Sequence, residues 1–314
     1  MEIRQLRYFV AIARARSFTG AARALRVAQP ALSLKLRALE TELGVVLVER
    51  KNRTGGLTEA GARLLVRAER ILAEVHDAGE EMAAHAGSTR GTVRLGCALQ
   101  TLIEGRLAPL VARFHERNPG LRIILREVHT QQVFELLGRA EVDLGLVHLG
   151  RSGDGPLVGT EAARGDLALL RLYREPLVVI VAPGHRLAGR KSVRFADLED
   201  EDFVSFRPGA TVQKLVAAAA AERGFALRIA FSTANMGTVR AVVAAGLGVA
   251  VVPRSAAEVP WPPLRALALG APRLERIVTL ARNPARFESP AVAALRQALV
   301  LELATGGRPR RGPT

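Results

Sequence analysis

The sequence predicts an α+β multidomain chain: an N-terminal winged helix-turn-helix, a long linker helix, and a C-terminal α/β domain of two subdomains. Three observations carry this. Apolar residues recur at helical spacing up to about residue 86, and from Gly91 they give way to short Val/Ile/Leu-rich runs alternating with helices. Charge divides the chain at the same place. Residues 1–70 hold 14 Lys/Arg against 6 Asp/Glu, residues 71–86 hold four acidic and no basic side chains, and the remaining 228 hold 31 basic against 20 acidic. A length of 314 residues is that of about two domains. The expected bounds are 1–60 for the winged domain, 61–88 for the linker helix and 89–304 for the α/β domain. A Gly/Pro/Arg tail, 305–314, has nothing to bury and is expected to be disordered.

Leu6, Phe9, Val10 and Ala13 fall at i, i+3, i+4 and i+7, one face of a first helix. Ser17 is placed to cap a second, whose inner face reads Phe18, Ala21, Ala22 and Leu25. After the turn Arg26-Val27-Ala28, Pro30 stands in the first turn of a third helix, where its missing N–H costs nothing. Leu32, Leu36, Leu39 and Leu43 are the expected buried face of that helix and Gly44 its stop. Two helices joined by so short a turn make a helix-turn-helix. Residues 45–49 and 55–57 then predict a small hairpin, a wing, with Lys51-Asn52-Arg53-Thr54 at its tip. The third helix carries Pro30, Leu34, Arg37 and Thr41 opposite Leu32, with Ser33 on its shoulder. A helix of this kind fits the DNA major groove, while wing arginines reach phosphates.

Thr58 opens one long helix to about Ala86. Leu65, Ala68, Leu72, Val75, Gly79 and Met82 form a narrow apolar seam along it, with Leu64 and Ile71 beside it. A lone amphipathic helix leaving a domain wants a partner. From Gly91, strands are predicted at 92–97, 121–128 and 143–148, separated by helices at 102–117 and 131–139, which implies a parallel sheet with right-handed crossovers. The rhythm recurs as strands at 176–181, 202–206, 227–231 and 249–252 with helices at 212–223 and 237–245. Two α/β subdomains follow, with a cleft where strand ends meet, the usual ligand position. Candidate contacts after strand ends are Leu99, Gln100, Thr101, Thr130, Gln131 and His148 from the first subdomain, and Ser205, Arg207, Thr233 and Asn235 from the second. Arg207 points to a carboxylate ligand, since a guanidinium holds one bidentately.

Other classes are disfavoured. A net charge of +15 points towards a polyanion. One cysteine, Cys97, excludes an intrachain disulfide and suits a reducing cytoplasm. No apolar run reaches the ~18–20 residues of a membrane helix, and the N-terminal stretch has charges where a signal peptide has none. There is no GxSxG, SxxK or HExxH, and acidic residues do not cluster near a nucleophile, so no catalytic residue and no enzyme is expected. No cofactor is expected either. Gly246-Leu247-Gly248 lacks the third glycine of a nucleotide fingerprint and leads from helix to strand. Cys97, His129 and His148 lie near neighbouring strand ends, but they read as a core cysteine and satisfied histidines, not a metal site. A solute-binding receptor on the same α/β fold, without a promoter role, is the alternative. It would carry a signal peptide and no helix-turn-helix, the reverse of this sequence.

LRYFVAIARARSFTGAARALRVAQPALSLKLRALETELGVVLVERKNRTGGLTEAG, nearly gapless across residues 3–61, resembles the DNA-binding region of LysR-type transcriptional regulators. LVVIVAPGHRLAGRKSVRFADLEDEDFV and TVRAVVAAGLGVAVVP extend the resemblance to that family's effector-binding domain, itself similar to periplasmic binding proteins. The resemblance implies a transcription regulator whose third helix sets Gln29, Pro30 and Ser33 near base edges, with Leu34 and Arg37 on the same face and Arg50 and Arg53 in the wing. It implies operator DNA, a small-molecule effector, RNA polymerase if the protein activates, and a homodimer or homotetramer paired through the linker helix. It also implies that the chain crosses between subdomains twice, giving subdomain one as about 91–161 and 265–304 and subdomain two as about 162–264. Two departures stand out: Ala28 where the family usually has Ser or Thr, and Leu34 where it usually has Arg.

Overall fold

The computed structural model describes residues 1–49, 56–86, 91–98, 102–152 and 167–304. It divides into two compact units, Met1–Ser88 and Thr89–Thr314, so the linker helix belongs to the N-terminal unit.

In the first unit α1 (Ile3–Ala15), α2 (Phe18–Leu25) and α3 (Gln29–Leu43) enclose one core. Leu6, Phe9, Val10 and Ala13 are buried as their spacing predicts, as are Ala21 and Ala22 of α2 and Leu32, Leu36 and Leu39 of α3. Ser17 caps α2, its Oγ accepting the Gly20 N–H at 3.2 Å. Leu43, expected in the buried face, is 38% exposed. Gly44 turns the chain at φ 68° immediately after it, so nothing returns to cover that leucine. The last inward position is Glu40 instead. Its buried carboxylate accepts the N–H groups of Leu47 (2.9 Å) and Val48 (3.3 Å), tying α3 to the wing strand. The wing closes as expected at its base. Val48 bridges Leu57 antiparallel, and the Glu49 N–H donates to the Gly56 carbonyl at 2.8 Å. Its tip lies outside the described residues.

α4 (Glu59–His85) starts where Thr58 accepts the Gly61 N–H at 3.0 Å. The wing strand passes so close that a Cβ on Gly61 would collide with the Leu47 carbonyl oxygen. The expected seam is not one continuous free surface. Leu64, Leu65, Ala68 and Leu72 pack on the core of α1–α3, and Arg14 reaches Glu69 at 3.1 Å. Further along, Ile71, Ala78 and Met82 are exposed and Val75 is half-buried. An amphipathic helix lays its apolar face on whatever apolar surface is nearest, and for its first turns that surface is its own domain.

In the second unit β1 (Gly91–Cys97), β2 (Leu121–Glu127) and β3 (Leu144–Ser152) pair in parallel in the order β2-β1-β3. The predicted 102–117 helix is interrupted: a π-helical turn, Ile103–Leu107, leads into α5 (Ala108–Arg117). α6 (Thr130–Gly138) follows β2. β4 (Ala168–Val181) begins eight residues before the expected strand and runs through both subdomains. β5 (Ser192–Val193), β6 (Asp202–Phe206), α7 (Thr211–Ala221), β7 (Arg228–Thr233), α8 (Met236–Ala244), β8 (Ala250–Pro253), α9 (Arg254–Ala257), β9 (Arg265–Leu269), β10 (Leu274–Arg282) and α10 (Pro290–Ala304) complete the unit. β10 runs antiparallel between β3 and the first half of β4, while β8 and β9 pair with the second half of β4. One eight-stranded sheet therefore spans both subdomains, with β6 and β7 as a separate parallel pair. The return to subdomain one was expected from residue 265. β9 instead pairs with β4 and β5 in subdomain two, and the crossing is made by β10.

Alternation fills both faces of the sheet. Leu144 and Leu146 of β3 meet α5 and α10, whereas Val147 and Leu149 meet α6. In the same way Leu177, Val179 and Val181 of β4 face α7, and Val178 and Ile180 face α8.

Candidate functional site

On α3, Gln29, Pro30, Leu34, Arg37 and Thr41 are exposed and Ser33 is half-buried. Leu34 is 67% exposed, the opposite of its neighbours Leu32 and Leu36. Ala28 caps α3 without any side-chain hydrogen bond. The Gln29 amide donates to Ser33 Oγ at 3.3 Å, so the two polar residues of this face already orient one another. Arg37 makes no ion pair or hydrogen bond with another described residue. Arg50 and Arg53 lie outside the described residues. A solvated helix face with a free guanidinium, a paired amide and hydroxyl, and one bare isobutyl group can enter a nucleic-acid groove with both polar and apolar reach.

In the α/β unit Leu99, Gln100 and Thr101 also lie outside the described residues. The remaining candidates fall into two groups. Thr130, buried in the first turn of α6, donates its hydroxyl to the His148 carbonyl at 3.5 Å. In the second subdomain, the Arg207 backbone N–H donates to the Thr233 carbonyl at 2.9 Å, and Thr233 Oγ1 accepts the Asn235 N–H at 3.2 Å. Ser205 is half-buried near the end of β6, opposite Ser232 of β7. Two candidates are engaged within their own helices. Asn235 caps α8, accepting the Thr238 N–H at 3.0 Å, and the Gln131 amide donates to Glu135 at 3.3 Å.

His148 does not follow a strand, as the sequence suggested. It lies inside β3, opposite Val278, because β10 extends the ladder to Ser152. Nor is it a fully satisfied histidine: its Nδ1 is shielded from solvent and has no hydrogen-bond partner among the described residues. Burial, then the charge of Arg276, pushes its pKa down to about 3, against the opposing effect of a hydrogen bond with the Ala98 backbone. His129, the N-cap of α6, is also lowered, by burial and then by the positive charge of Arg207. The guanidinium of subdomain two is thus felt by the imidazole of subdomain one.

Sequence reasoning missed the polar cluster beneath this region. Buried Arg276 of β10 donates from Nε to Glu175 Oε2 of β4 at 2.6 Å and from Nη2 to Ser255 Oγ at 3.2 Å. Glu175 Oε1 accepts the Ser255 N–H at 2.7 Å. The three residues join the crossover strands to the start of α9. A charged residue within each apolar run was the available signal, but partners 101 positions apart cannot be paired from spacing. A hollow of about 580 Å³ elsewhere in subdomain two is rimmed by Arg190, Lys191 and Arg265, and none of the expected contacts line it.

Residues 3–62 match the family model for bacterial regulatory helix-turn-helix proteins of the lysR family, and residues 86–304 match the LysR substrate binding domain. The chain is 29% identical over 307 residues to a RuBisCO operon transcriptional regulator of Allochromatium vinosum, covering 97% of both chains. It is 31% identical to the HTH-type transcriptional regulator XapR of Escherichia coli K12, covering 83% of this chain and 85% of that one. Among solved structures, the LysR family transcriptional regulator CbnR is similar with a TM-score of 0.64 at 26% identity, covering 96% of this chain and 99% of that one. Two matched domains in one chain, covering nearly all of it, lead to one assignment: the chain belongs to the LysR family of DNA-binding transcriptional regulators with a C-terminal effector domain.

Proposed function

We propose that this regulator reads an interrupted inverted-repeat operator through the exposed face of α3, and that a small carboxylate effector in the cleft of the α/β unit alters that binding. The observation that carries the reading is the solvated face of Gln29, Pro30, Ser33, Leu34 and Arg37 opposite the buried Leu32, Leu36 and Leu39. Gln29 and Ser33 hydrogen-bond base edges, Leu34 packs on them, and Arg37, Arg50 and Arg53 neutralise phosphates. A solved complex of full-length CbnR with its target DNA is similar to this chain with a TM-score of 0.63 at 25% identity, which supports the same docking here.

The assembly is a homodimer through the second half of α4, pairing further through the α/β units into a tetramer. Two edge strands support the second contact: Leu125 of β2 and Ile229 and Phe231 of β7 are exposed. Thr130, His148, Ser205, Arg207 and Thr233 line the effector site with Leu99, Gln100 and Thr101, and Gln131 and Asn235 hold the flanking helices. The protein acts in the cytoplasm, has no catalytic role, and contacts RNA polymerase where it activates. Footprinting the purified protein on DNA upstream of its own gene tests the reading. Two protected half-sites about one or two helical turns apart are expected. Uniform, sequence-independent protection overturns it.

A further inference from the structure

We infer that Glu40 is a positioning residue for DNA binding: its carboxylate sets the direction of the wing relative to the exposed face of α3, so that base reading and phosphate grip engage one half-site together. This rests on α3 and the wing arginines being the DNA contacts, and adds what holds the two in step.

The third helix does not need Glu40 for its own placement. Leu32, Leu36 and Leu39 are 0%, 3% and 0% exposed, and they fix both the helix and the face it turns outward. The wing strand is held differently. Leu47 and Val48 are buried in the same core, which keeps the strand down without fixing its direction, because apolar burial is non-directional. The base of the ribbon is short, one Val48–Leu57 bridge and one bond from the Glu49 N–H to the Gly56 carbonyl. A two-stranded ribbon of this size does not hold a geometry by itself in water.

Direction therefore comes from the two helices beside it. On the α4 side the Thr58 hydroxyl donates to the Val46 carbonyl at 2.7 Å, and the Thr58 N–H donates to the Leu47 carbonyl at 3.1 Å. On the α3 side Glu40 Oε1 accepts the N–H of Leu47 at 2.9 Å and that of Val48 at 3.3 Å. Successive N–H groups of a regular strand point to opposite sides, so two that converge on one oxygen fix the roll of the chain as well as its distance. Arg50 and Arg53 follow Val48 by two and five residues, so a tilt at this base is carried to both. Removing the Glu40 carboxylate frees the strand while the leucine face keeps α3 in place. Phosphate contacts carry affinity and salt dependence but no sequence information, so the loss falls equally on every duplex.

The test is fluorescence-anisotropy titration of the full chain, over a series of salt concentrations, on the footprinted operator and on an unrelated duplex of equal length. Glu40→Ala should weaken both duplexes about tenfold or more, leave their ratio unchanged, and lower the salt slope by up to about two units per half-site, as Arg50→Ala with Arg53→Ala does. All three substitutions together should cost no more than the wing pair alone. Glu40→Gln, whose amide oxygen can accept the same two N–H groups, should match the unsubstituted chain in affinity and slope. A residue that merely stabilised the domain would lower the folded fraction and leave the slope of the folded molecules unchanged. If the Glu40→Ala and wing-pair losses add, if Glu40→Ala binds normally or abolishes the unfolding transition of the winged domain, or if Glu40→Gln fails as Glu40→Ala does, Glu40 does not act by aiming the wing. If the wing pair alone changes neither affinity nor slope, the wing is not a DNA contact, and the reading beneath fails as well.

Discussion

Leu34 is a residue whose surroundings invert what its type suggests. A leucine 67% exposed on α3 cannot donate to guanine O6 or N7, but its methyls can pack on a thymine C5-methyl. The expected outcome is a preference for T beside the bases contacted by Gln29 and Ser33. Uracil, which lacks only that methyl, should bind more weakly than T at one position of each half-site. Leu34→Arg should tighten binding to all DNA, weaken this preference and steepen the salt dependence by about one unit. His148 makes a second residue-scale prediction. Its folded pKa of about 3 lies below the 6.5 of the unfolded chain, so between those values the unfolded state binds a proton that the native state refuses. The stability this confers is complete above pH 6.5 and is lost as pH falls towards 3, at about 1.4 kcal/mol per pH unit. Denaturant titrations from pH 7 to 5 should show a shallower slope for His148→Phe, the difference growing to about one proton near pH 5.

At the scale of elements, the structure shows which termini and contacts hold by backbone geometry. α3 begins at Ala28 with no side-chain cap, so Ala28→Ser should raise thermal stability by about 1 kcal/mol through a bond to an orphan N–H of the first turn. Gly61 is the reverse case. A Cβ there would run into the Leu47 carbonyl oxygen, so Gly61→Ala must push the wing strand off α4 and should abolish DNA binding while the α/β unit keeps its own unfolding transition. In the second unit the buried Arg240 of α8 donates to the carbonyls of Trp261 (2.7 Å), Val259 (2.6 Å) and Pro262 (3.4 Å). Arg240→Met should cost about 2 kcal/mol. Trp261, the only tryptophan of the chain and 78% exposed, reports the loosened loop as lower fluorescence anisotropy.

For the whole molecule, the linker helix sets the testable assembly. Leu65 and Leu72 pack on the winged domain's own core, so charging them would injure that domain and leave the pairing question unanswered. Ile71 and Met82 are exposed, and replacing both with Glu should turn a sedimenting dimer or tetramer into monomers that bind single half-sites at least 100-fold more weakly. The α/β unit is organised around β4 and β10, which thread both subdomains. The Glu175–Arg276–Ser255 cluster ties these two strands to the start of α9.

The sequence by itself determined the elements whose pattern is local. Helical spacing in residues 6–13 and 18–25, the Ser17 and Thr58 caps, Pro30 in a first turn and the βαβ rhythm after Gly91 all depend on neighbours a few residues apart. Tertiary structure alone decided the rest. Glu40 displaced Leu43 from the core because the wing strand brought two N–H groups to it. Half of the α4 seam was claimed by α1, and β9 stayed with β4 because strand pairing is settled between distant segments. His148 lay within a strand only because β10, some 130 residues later, extended the ladder past it. Periodicity records which face of an element is apolar, but the partner that covers that face, and the polar atom it leaves unpaired, are fixed only when remote segments compete for the same surface.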